Sequence, residues 1–600
     1  MLLVLRYTLF LWVISHFAHQ SALGQTPILK NNYKDAGDTE IEITSIFGAA
    51  GRFGTVPYRV RIRNNSGADR TWNVLLEEGD RSRNLSTSVR ESIQVENGTE
   101  VIREMLLPMA PAFTTYSYRS TSATVSAQGL PKVTRNHGHQ TNDRFPTLAM
   151  SRELSRRSLV DLDDHIQTRG NSDSRFASAF DPKQLPTRWR AYTSLDALLI
   201  DQKSWERLSG AQQNAVIEWV RLGGRLEIFA EGSNHSLKSL SGVEGVVPSK
   251  RSAAMGRLSL GTVQIRAWDG DQLPTNVANS FDRIPKRAEE LENLFDQDWQ
   301  LNSAFGIKKF NAAIILIPLL IFAILVAPVN LFYFARKGKR HRLFFTTPII
   351  SVAACIMIVA VIFLEDGVGG RGYRTTLLDL QPHPGEMRIY LSQEQISRTG
   401  VMLNSGFNPS LPLVADPVSL PNGAFNPLSR SSNRKTRMEF FPDEYRGGFF
   451  RSRSEQGFSL RASTPSRSRI SQRPQTTASF IPDLVSNLST PLTEFFFRDA
   501  DGRVWKLDSE DPIAPGDTIP LRASAQEELT QWLQDKTSSF SKAQRSRIRR
   551  LNQDSNRFFA SAQDPQSLAI ATHPSITWER DLLVLTGSIH ATSTALDSAP

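Results

Sequence analysis

The stretch Leu195–Ala230, LDALLIDQKSWERLSGAQQNAVIEWVRLGGRLEIFA, decides the fold class of the central part of the chain. It opens and closes with short apolar runs, LDALLI and LEIFA, of the kind that form buried strands. Between these runs, Ser209 and Gln212 have the spacing of a capping box and precede an amphipathic helix. Gly223 and Gly224 then supply the glycines that commonly end a helix. The order of strand, helix, glycine turn and strand predicts an α/β crossover unit.

The residues around this unit resemble a known family. Leu185–Phe229 carries a Trp- and Tyr-containing lead, a strand of the form x-D-A-L-L and a helix-to-strand turn of the form W-V-x-x-G-G-x-L. These features are similar to those of uncharacterised bacterial two-span membrane proteins that have an exported, noncatalytic class I glutamine amidotransferase-like domain. The signature residues are Trp189, Tyr192, Asp196, Trp219, Gly223 and Gly224. The resemblance covers residues 145–400 and implies an α/β amidotransferase-like domain over residues 145–275.

The sequence departs from that fold at the nucleophile. Class I amidotransferases attack glutamine with a cysteine on a strand-to-helix elbow, but the single cysteine here, Cys355, falls in an apolar span. A serine substitute, Ser233, is followed by His235 but lacks the spacing of a G-x-S-x-G turn. We therefore predict no catalytic, cofactor-binding or metal-binding residues and no cofactor. The enzyme alternative is a hydrolase that uses carboxylates such as Asp196 or Glu231, although Asp196 beside a buried strand would equally close a turn.

The composition is that of an ordinary globular chain with additional segments attached. The 600 residues include 70 Lys or Arg and 60 Asp or Glu, which give a net charge of +10, and 40% of the residues are apolar. This length predicts several domains. Because there is one cysteine, intramolecular disulfides and Cys-rich zinc sites are excluded.

The N-terminal segment has the pattern of a targeting signal followed by a β-rich domain. Arg6 precedes an apolar stretch, and Ala22 and Gly24 have the spacing of a signal peptidase site. An uncleaved anchor and a buried N-terminal helix are the alternatives. The predicted boundaries are a signal peptide at 1–24, a linker at 25–40, a β-sandwich at 41–128 and a second linker at 129–142.

Two apolar segments, 311–335 and 343–364, carry no charged side chain, and each is long enough to cross a bilayer. A buried core hairpin is the alternative, and residues 276–310 are predicted as a helical connector to the first span. The loop at 336–342 holds the topology signal, which consists of Arg336, Lys337, Lys339, Arg340 and Arg342. Because cytoplasmic loops are rich in Lys and Arg, this loop is predicted to lie inside. The sequence thus predicts a multi-pass protein of the bacterial inner (cytoplasmic) membrane, with both large domains extracytoplasmic.

Residues 365–600 are predicted as an exported β-rich domain. Gly367–Gly372 satisfies a G-x-G-x-x-G pattern, but it follows a membrane helix and leads into a strand, so we predict a flexible exit linker. The turn DADGR at 499–503 resembles the start of a calcium loop but lacks the later acidic ligands, which favours a plain hairpin turn. Lys542–Phe559 has the pattern of an arginine-rich helix.

The segment 430–473 is basic and of low complexity, with eleven Lys or Arg against four Asp or Glu. Its interleaved aromatic residues are Phe440, Phe441, Tyr445, Phe449 and Phe450. Such a pattern is found in proteins that bind single-stranded nucleic acid, but the extracytoplasmic compartment makes nucleic acid an unlikely partner. Contact with anionic lipid or acidic polysaccharide, and a merely solvated loop, are the other interpretations.

Taken together, these patterns predict a multidomain α+β membrane protein with an N-terminal β-sandwich, an α/β amidotransferase-like domain, a transmembrane helical hairpin and a C-terminal β-rich domain. The leading functional prediction is a membrane-anchored noncatalytic envelope protein that presents its exported domains for partner or ligand binding. Its expected partners are membrane lipid and other envelope or membrane proteins. The alternatives are a hydrolase on the α/β domain and an accessory subunit of a transport or export complex, although ion pathways usually need charged residues inside the spans.

Overall fold

The computed structural model describes residues 27–48, 51–80, 85–110, 116–142, 146–156, 177–231, 237, 246–249, 252–268, 280–281, 283–293, 299–306, 312–334, 340–383, 386–420, 425, 436–441, 444–473 and 481–591. The predicted signal peptide lies outside the described residues, as do Ser233 and His235. The described part is a β-rich, multi-sheet, multidomain protein with two apolar helices.

The strands fall into three stretches of the chain. The first stretch contains β1 (Pro27–Tyr33), β2 (Thr39–Ser45), β3 (Thr55–Asn64), β4 (Arg70–Asp80), β5 (Leu85–Val95), β6 (Thr99–Pro108), β7 (Tyr116–Ala127) and β8 (Val133–Asn142). The second contains β9 (Leu148–Ser151), β10 (Ala177–Phe180), β11 (Ala197–Asp201), β12 (Arg225–Ala230), β13 (Val247–Ser249), β14 (Ser252–Leu258) and β15 (Gly261–Ala267). The third contains β16 (Gly370–His383), β17 (Glu386–Thr399), β18 (Leu413–Val418), β19 (Thr436–Phe440), β20 (Tyr445–Gly447), β21 (Glu455–Ser466), β22 (Ile470–Gln472), β23 (Leu484–Ser486), β24 (Leu492–Arg498), β25 (Val504–Leu507), β26 (Thr518–Ile519), β27 (Leu521–Ser524), β28 (Arg557–Ala562), β29 (Ile576–Ser588) and β30 (His590–Ala591).

Eight α-helices are assigned within the described residues. They are α1 (Gln202–Glu206), α2 (Gly210–Arg221), α3 (Arg287–Asn293), α4 (Ala312–Ile324), α5 (Leu343–Asp366), α6 (Gln526–Lys536), α7 (Lys542–Leu551) and α8 (Pro565–Leu568). A π-helical segment, Leu325–Phe334, continues α4, and short 3-10 turns lie at Lys34–Ala36, Pro182–Gln184, Trp189–Tyr192, Gln300–Ser303 and Arg340–Arg342.

Two N-terminal sheets share one hydrophobic core. One sheet has the order β1-β2-β3-β6, and the other has the order β20-β19-β5-β4-β7-β8. Alternating side chains such as Val60 and Ile62 on β3, and Trp72 and Val74 on β4, are fully buried between them. The linker boundaries were predicted wrongly, because β1 lies within residues 25–40 and β8 lies within residues 129–142. Both polar segments form strands because backbone pairing to β2 and to β7 compensates for their weak apolar pattern.

The central sheet confirms the predicted α/β crossover unit. Its order is β10-β9-β11-β12-β15-β14-β13, and β11 pairs with β12 in parallel. Helix α2 connects these two strands and begins with the expected capping box, in which the Ser209 hydroxyl accepts from the Gln212 N–H and the Gln212 side chain accepts from the Ser209 N–H. Gly223 follows the helix with a φ of 108°, as the helix-ending role requires.

The C-terminal stretch forms a nine-stranded sheet in the order β18-β21-β17-β16-β29-β28-β24-β25-β27. The prediction of a flexible exit linker is wrong, because β16 begins at Gly370 and pairs on both sides. The DADGR turn is a hairpin between β24 and β25, and the Asp499 carboxylate accepts from the Arg503 N–H and the Trp505 indole. The predicted helix from 542 to 559 ends early, at Leu551, because the last residues of that range enter the buried strand β28.

The basic segment 430–473 is largely folded where it is described. Phe449 and Phe450 have no exposed surface, and Phe440 and Tyr445 are also buried in the C-terminal core. These four aromatic residues therefore stabilise the core through mutual ring contacts, and the interpretation of this segment as a solvated loop is wrong for its described part. In the sequence, the mixture of arginine and aromatic residues suggests an exposed segment. A strand produces the same pattern, because alternate side chains point to opposite faces of the sheet.

One strand of this segment joins the N-terminal and C-terminal stretches into one body. β19 pairs in parallel with β5 over five residue pairs, from Thr436↔Leu85 to Phe440↔Val89. Side chains reinforce the junction, since Arg437 forms an ion pair with Glu77 on β4. The chain segments before and after the two apolar helices thus share a sheet.

The two apolar helical segments are long enough to cross a membrane, and their side chains are mostly exposed. Phe344 is 82% exposed and Leu364 is 86% exposed, so the alternative of a buried core hairpin is wrong. The helices contact each other through a polar cluster, in which the Asn330 amide donates to Thr347 Oγ1 at 2.8 Å and accepts from Thr346 Oγ1 at 2.6 Å. Hydrogen bonds of this kind hold helices together in an apolar solvent.

Candidate functional site

A cleft with a volume of about 470 Å³ lies where the central sheet meets the C-terminal stretch. Its walls come from the residues preceding β11, β12 and β15, from the segment 284–290 that includes the start of α3, and from helix α7. The cleft therefore opens at the amino ends of the parallel strands and is closed by a helix that is distant in sequence. A volume of this size is suited to a small molecule.

Residues of the predicted fold signature form one wall of the cleft. Trp219 is 1% exposed and contacts the Tyr192 ring at a centroid distance of 5.9 Å. A Cβ atom on Gly224 would lie 2.4 Å from the Trp219 ring, so only glycine permits the helix to pack against the strand here. Trp189 is also buried, and Tyr192 donates its hydroxyl to the Pro186 carbonyl oxygen at 2.7 Å. The signature residues thus hold the end of α2 against the start of β12, and this junction forms part of the cleft wall.

Asp196 lines the cleft, but its carboxylate is engaged by the backbone. Oδ2 accepts from the Thr147 N–H at 2.7 Å, and Oδ1 accepts from the Arg287 N–H at 2.8 Å. Burial raises the pKa of this carboxyl to about 6, against the lowering effect of the two backbone hydrogen bonds. These contacts tie the start of β9 to the start of α3, which is the structural role expected of a turn-closing aspartate.

The other carboxylate considered for catalysis, Glu231, lies at the opposite edge of the central sheet. It follows β12, is exposed, and forms an ion pair with Lys203 at 2.7 Å. Because Asp196 precedes β11 and the two strands run parallel, the two carboxyl groups are roughly 20 Å apart at about 3.3 Å per residue. That separation is too large for a pair that shares one acid–base reaction.

The carboxyl edge of the central sheet, where ligands of open α/β sheets usually bind, carries one buried polar pair among the described residues. The Ser151 hydroxyl donates to Asp201 Oδ2 at 2.8 Å, and the other carboxylate oxygen of Asp201 caps helix α1 by accepting from the Ser204 N–H. The arrangement satisfies both residues within the fold, so it joins β9 to β11 and does not resemble an activated nucleophile.

A buried charge network supports the cleft from behind. Glu290 accepts from Arg547 at 2.8 and 2.9 Å through both oxygens and also forms an ion pair with Arg287. Burial alone would raise the pKa of Glu290, but the two guanidinium groups outweigh it and hold the pKa at about 2. Asp416 in turn accepts from Arg287 at 3.3 Å and from Arg461 at 3.0 Å. The network connects α3, α7, β18 and β21.

Helix α7 presents a basic stripe to the cleft. Lys542, Ser546 and Arg550 are spaced four residues apart, so they lie on one face of the helix, and all three are exposed and line the cleft. The sequence pattern identified the arginines of this helix but gave no sign of what they face. Only the fold brings them next to Gly223, Gly224 and the start of α3.

The remaining predicted residues belong to the loop between the apolar helices. Arg340 and Arg342 lie in a 3-10 turn before α5, whereas Arg336, Lys337 and Lys339 lie outside the described residues. These residues are far from the cleft in the sequence, and their predicted role is to set the orientation of the hairpin in the membrane.

A comparison with protein-family models finds no match to this chain, and a comparison with curated proteins finds none either. Among solved structures, the chain is weakly similar to a β-glucuronidase from Bacteroides uniformis, with 9% identity over 32% of this chain and 33% of that one, and a TM-score of 0.18. It is also similar to a Paenibacillus cycloisomaltooligosaccharide glucanotransferase, with 12% identity over 32% of this chain and 27% of that one, and a TM-score of 0.16. An exo-chitosanase from Amycolatopsis orientalis aligns over 92% of this chain and 78% of its own, with 8% identity and a TM-score of 0.17.

The matched part of this chain spans about a third or less of the length of the first two enzymes. At these TM-scores the similarities do not establish a shared fold, and no residue role follows from them.

A buried glutamate beneath α7 predicts a pH dependence of stability. Glu394 is 1% exposed and accepts from the N–H of Ser541 at 3.1 Å and from its hydroxyl at 2.5 Å, and Ser541 is the N-cap of α7. Burial raises the pKa of Glu394 to about 7, against the lowering effect of these hydrogen bonds. Between the ordinary value of 4.5 and about 7, the folded protein therefore binds a proton that the unfolded chain has lost.

We expect the free energy of unfolding to fall as the pH rises through this window, and the full contribution of Glu394 to be present only below pH 4.5. The measurement is thermal unfolding of the full chain in detergent from pH 4 to pH 8, compared between the wild type and Glu394→Gln. The substitution should flatten the pH profile. Glu444→Gln, which alters a partly exposed glutamate paired with Arg446, serves as the matched control and should keep the wild-type slope across this window. Identical profiles for all three proteins would contradict the prediction.

Proposed function

We propose that this chain is a membrane-anchored, noncatalytic protein of the bacterial inner (cytoplasmic) membrane, whose extracytoplasmic body binds a ligand or partner. The two apolar helices form the transmembrane hairpin, the two N-terminal sheets form a β-sandwich, and the central sheet is the amidotransferase-like domain that the sequence signature suggests. The observation that carries the proposal is the strand pairing of β19 with β5. Chain segments on either side of the hairpin share that sheet, so they belong on one side of the membrane.

The distribution of basic residues supports placing the shared body on the extracytoplasmic side of the membrane. The loop between the helices holds five Lys or Arg in the seven residues 336–342, and such loops remain in the cytoplasm. The shared body would then be extracytoplasmic. The exposed apolar side chains of α4 and α5 would face lipid, which is the membrane partner that the sequence predicts.

The state of the carboxylates supports a noncatalytic role. Asp196 is held by two backbone N–H groups, Glu231 is paired with Lys203 at a distant edge, and Asp201 caps a helix. A hydrolytic site needs an acid and a base within reach of one substrate bond, and these residues do not provide it. Ligand binding in the cleft requires no such pair.

The topology is testable by cysteine accessibility because the chain has a single native cysteine, Cys355. In a Cys355→Ser background, we expect Lys203→Cys and Asp501→Cys to react with a membrane-impermeant maleimide added to spheroplasts, since both native side chains are 69% exposed. Gly338→Cys, in the basic loop, should react only after the membrane is permeabilised. The wild-type protein, with Cys355 in lipid, should remain unlabelled until detergent is added.

Labelling of Lys203→Cys and Asp501→Cys from opposite sides would refute the shared body. Labelling of Gly338→Cys alone in spheroplasts would reverse the orientation and refute the extracytoplasmic assignment.

A further inference from the structure

We propose that the cleft between the central sheet and helix α7 binds a phosphate monoester that carries an apolar group. The inference rests on the proposed function, because it specifies the ligand of the extracytoplasmic body. It follows from which charges in the cleft are already paired, from the excess of positive charge in the network behind the cleft, and from the apolar part of the cleft lining.

The acidic groups that line the cleft are already engaged within the fold. Glu289 forms an ion pair with Lys286 at 2.6 Å, and Glu290 is held between Arg287 and Arg547. The Asp196 carboxylate accepts two backbone hydrogen bonds. None of these groups is available to pair with the basic stripe of α7, so the stripe retains its positive charge.

Two cations of the stripe are unpaired. Lys542 and Arg550 line the cleft, and within the described residues neither side chain makes a hydrogen bond or an ion pair. Their neighbour Ser546 adds a hydroxyl on the same helix face. Two positive charges match a phosphate monoester, which carries a charge of about −1.5 to −2 near pH 7.

Buried donors behind the stripe also lack acceptors. Arg461 is 5% exposed and lines the cleft, and its Nε–H has no hydrogen-bond partner among the described residues. The Nε–H of Arg287 is in the same condition and also belongs to a lining residue. The network behind the cleft holds three guanidinium groups, from Arg287, Arg461 and Arg547, against two carboxylates, from Glu290 and Asp416, and this excess of positive charge favours an anion in the cleft.

One part of the cleft lining, the apolar wall, selects the rest of the ligand. It is formed by Leu195, Trp219, Leu260, Ile284 and Pro285. At about 470 Å³ the cleft has room for an aromatic or aliphatic group beside the phosphate. The chemistry is shared by soluble phosphate monoesters and by lipids with a terminal phosphate, which are the two possible sources of the ligand.

The test is isothermal titration of the full chain in detergent with phenyl phosphate and with inorganic phosphate as probes. We expect both probes to bind, with phenyl phosphate the tighter because its ring reaches the apolar wall. Lys542→Ala and Arg550→Ala should each weaken binding about tenfold, the loss expected for one charge-assisted contact. Arg549→Ala changes an exposed arginine of the same helix that does not line the cleft, and it should leave the affinity within about twofold.

Absence of binding by the folded wild type, or equal weakening by Arg549→Ala and Arg550→Ala, would overturn the site. Phosphatidic acid supplied in mixed detergent micelles distinguishes the source: competition by these micelles against phenyl phosphate indicates a lipid ligand, and binding that they do not affect indicates a soluble one. Phenol released during the titration is measured in parallel. Its appearance would refute the noncatalytic function while leaving the phosphate site intact, so the two proposals fail separately.

Discussion

Replacing Asp416 with alanine is expected to lower the free energy of unfolding by about 3–5 kcal/mol, because it leaves buried positive charge without its partner. Asp416 is 2% exposed and accepts from Arg287, from Arg461 and from the Gly54 N–H at 3.1 Å. These donors come from the connector helix, the C-terminal sheet and the N-terminal stretch. The variant should therefore loosen all three at once, which is measurable as a lower urea midpoint by tryptophan fluorescence.

The matched control is Asp501→Ala, which removes an aspartate of the β24–β25 turn. Asp501 is 69% exposed and pairs with Arg503 at 3.3 Å, so its loss should cost between about 0 and 1 kcal/mol. A similar midpoint for the two variants would show that the Asp416 network does not hold the parts of the body together.

Trp219→Ala is the second change with a large expected effect, a loss of about 3–5 kcal/mol from the cavity and the missing contacts. The Trp219 ring is 1% exposed, contacts the Tyr192 ring and covers Gly224 at the end of α2. The cavity would open at the apolar wall of the cleft, so the tighter binding of phenyl phosphate relative to inorganic phosphate should also decrease. Urea unfolding and the two titrations measure these effects independently.

Trp219→Phe is the comparison variant, because it keeps an aromatic ring over Gly224. It should retain most of the stability and most of the preference for phenyl phosphate. If Trp219→Ala and Trp219→Phe lowered the free energy of unfolding equally, packing of an aromatic ring would not be what holds α2 to the sheet.

The local parts of this architecture could be predicted from the sequence. The crossover unit was predictable because its signals lie within forty residues: a capping box at Ser209, apolar strands and a glycine exit at Gly223. The two apolar helices were predictable from length and composition. Each of these features depends on neighbours in the chain.

The cleft was not predictable because its walls are brought together by nonlocal packing. Arg461 and Asp416 look like surface residues in the sequence, yet both are buried, since each neutralises a charge from another strand or helix. The polar strand β8 and the basic strand β19 were missed for the same reason, because pairing to an existing sheet outweighed their composition.

The pairing of β19 with β5 also imposes an order on assembly. Arg437 on β19 donates to Ser88 on β5 although 349 positions separate them in the sequence. The hairpin helices fall in the part of the sequence between these two strands. In the proposed topology, β5 reaches the cell exterior long before β19 does. Until then the edge of the N-terminal sheet is an open template of the kind that promotes aggregation. In that topology, completion of the N-terminal sheet would wait for insertion of the hairpin, so membrane integration would precede completion of the shared body.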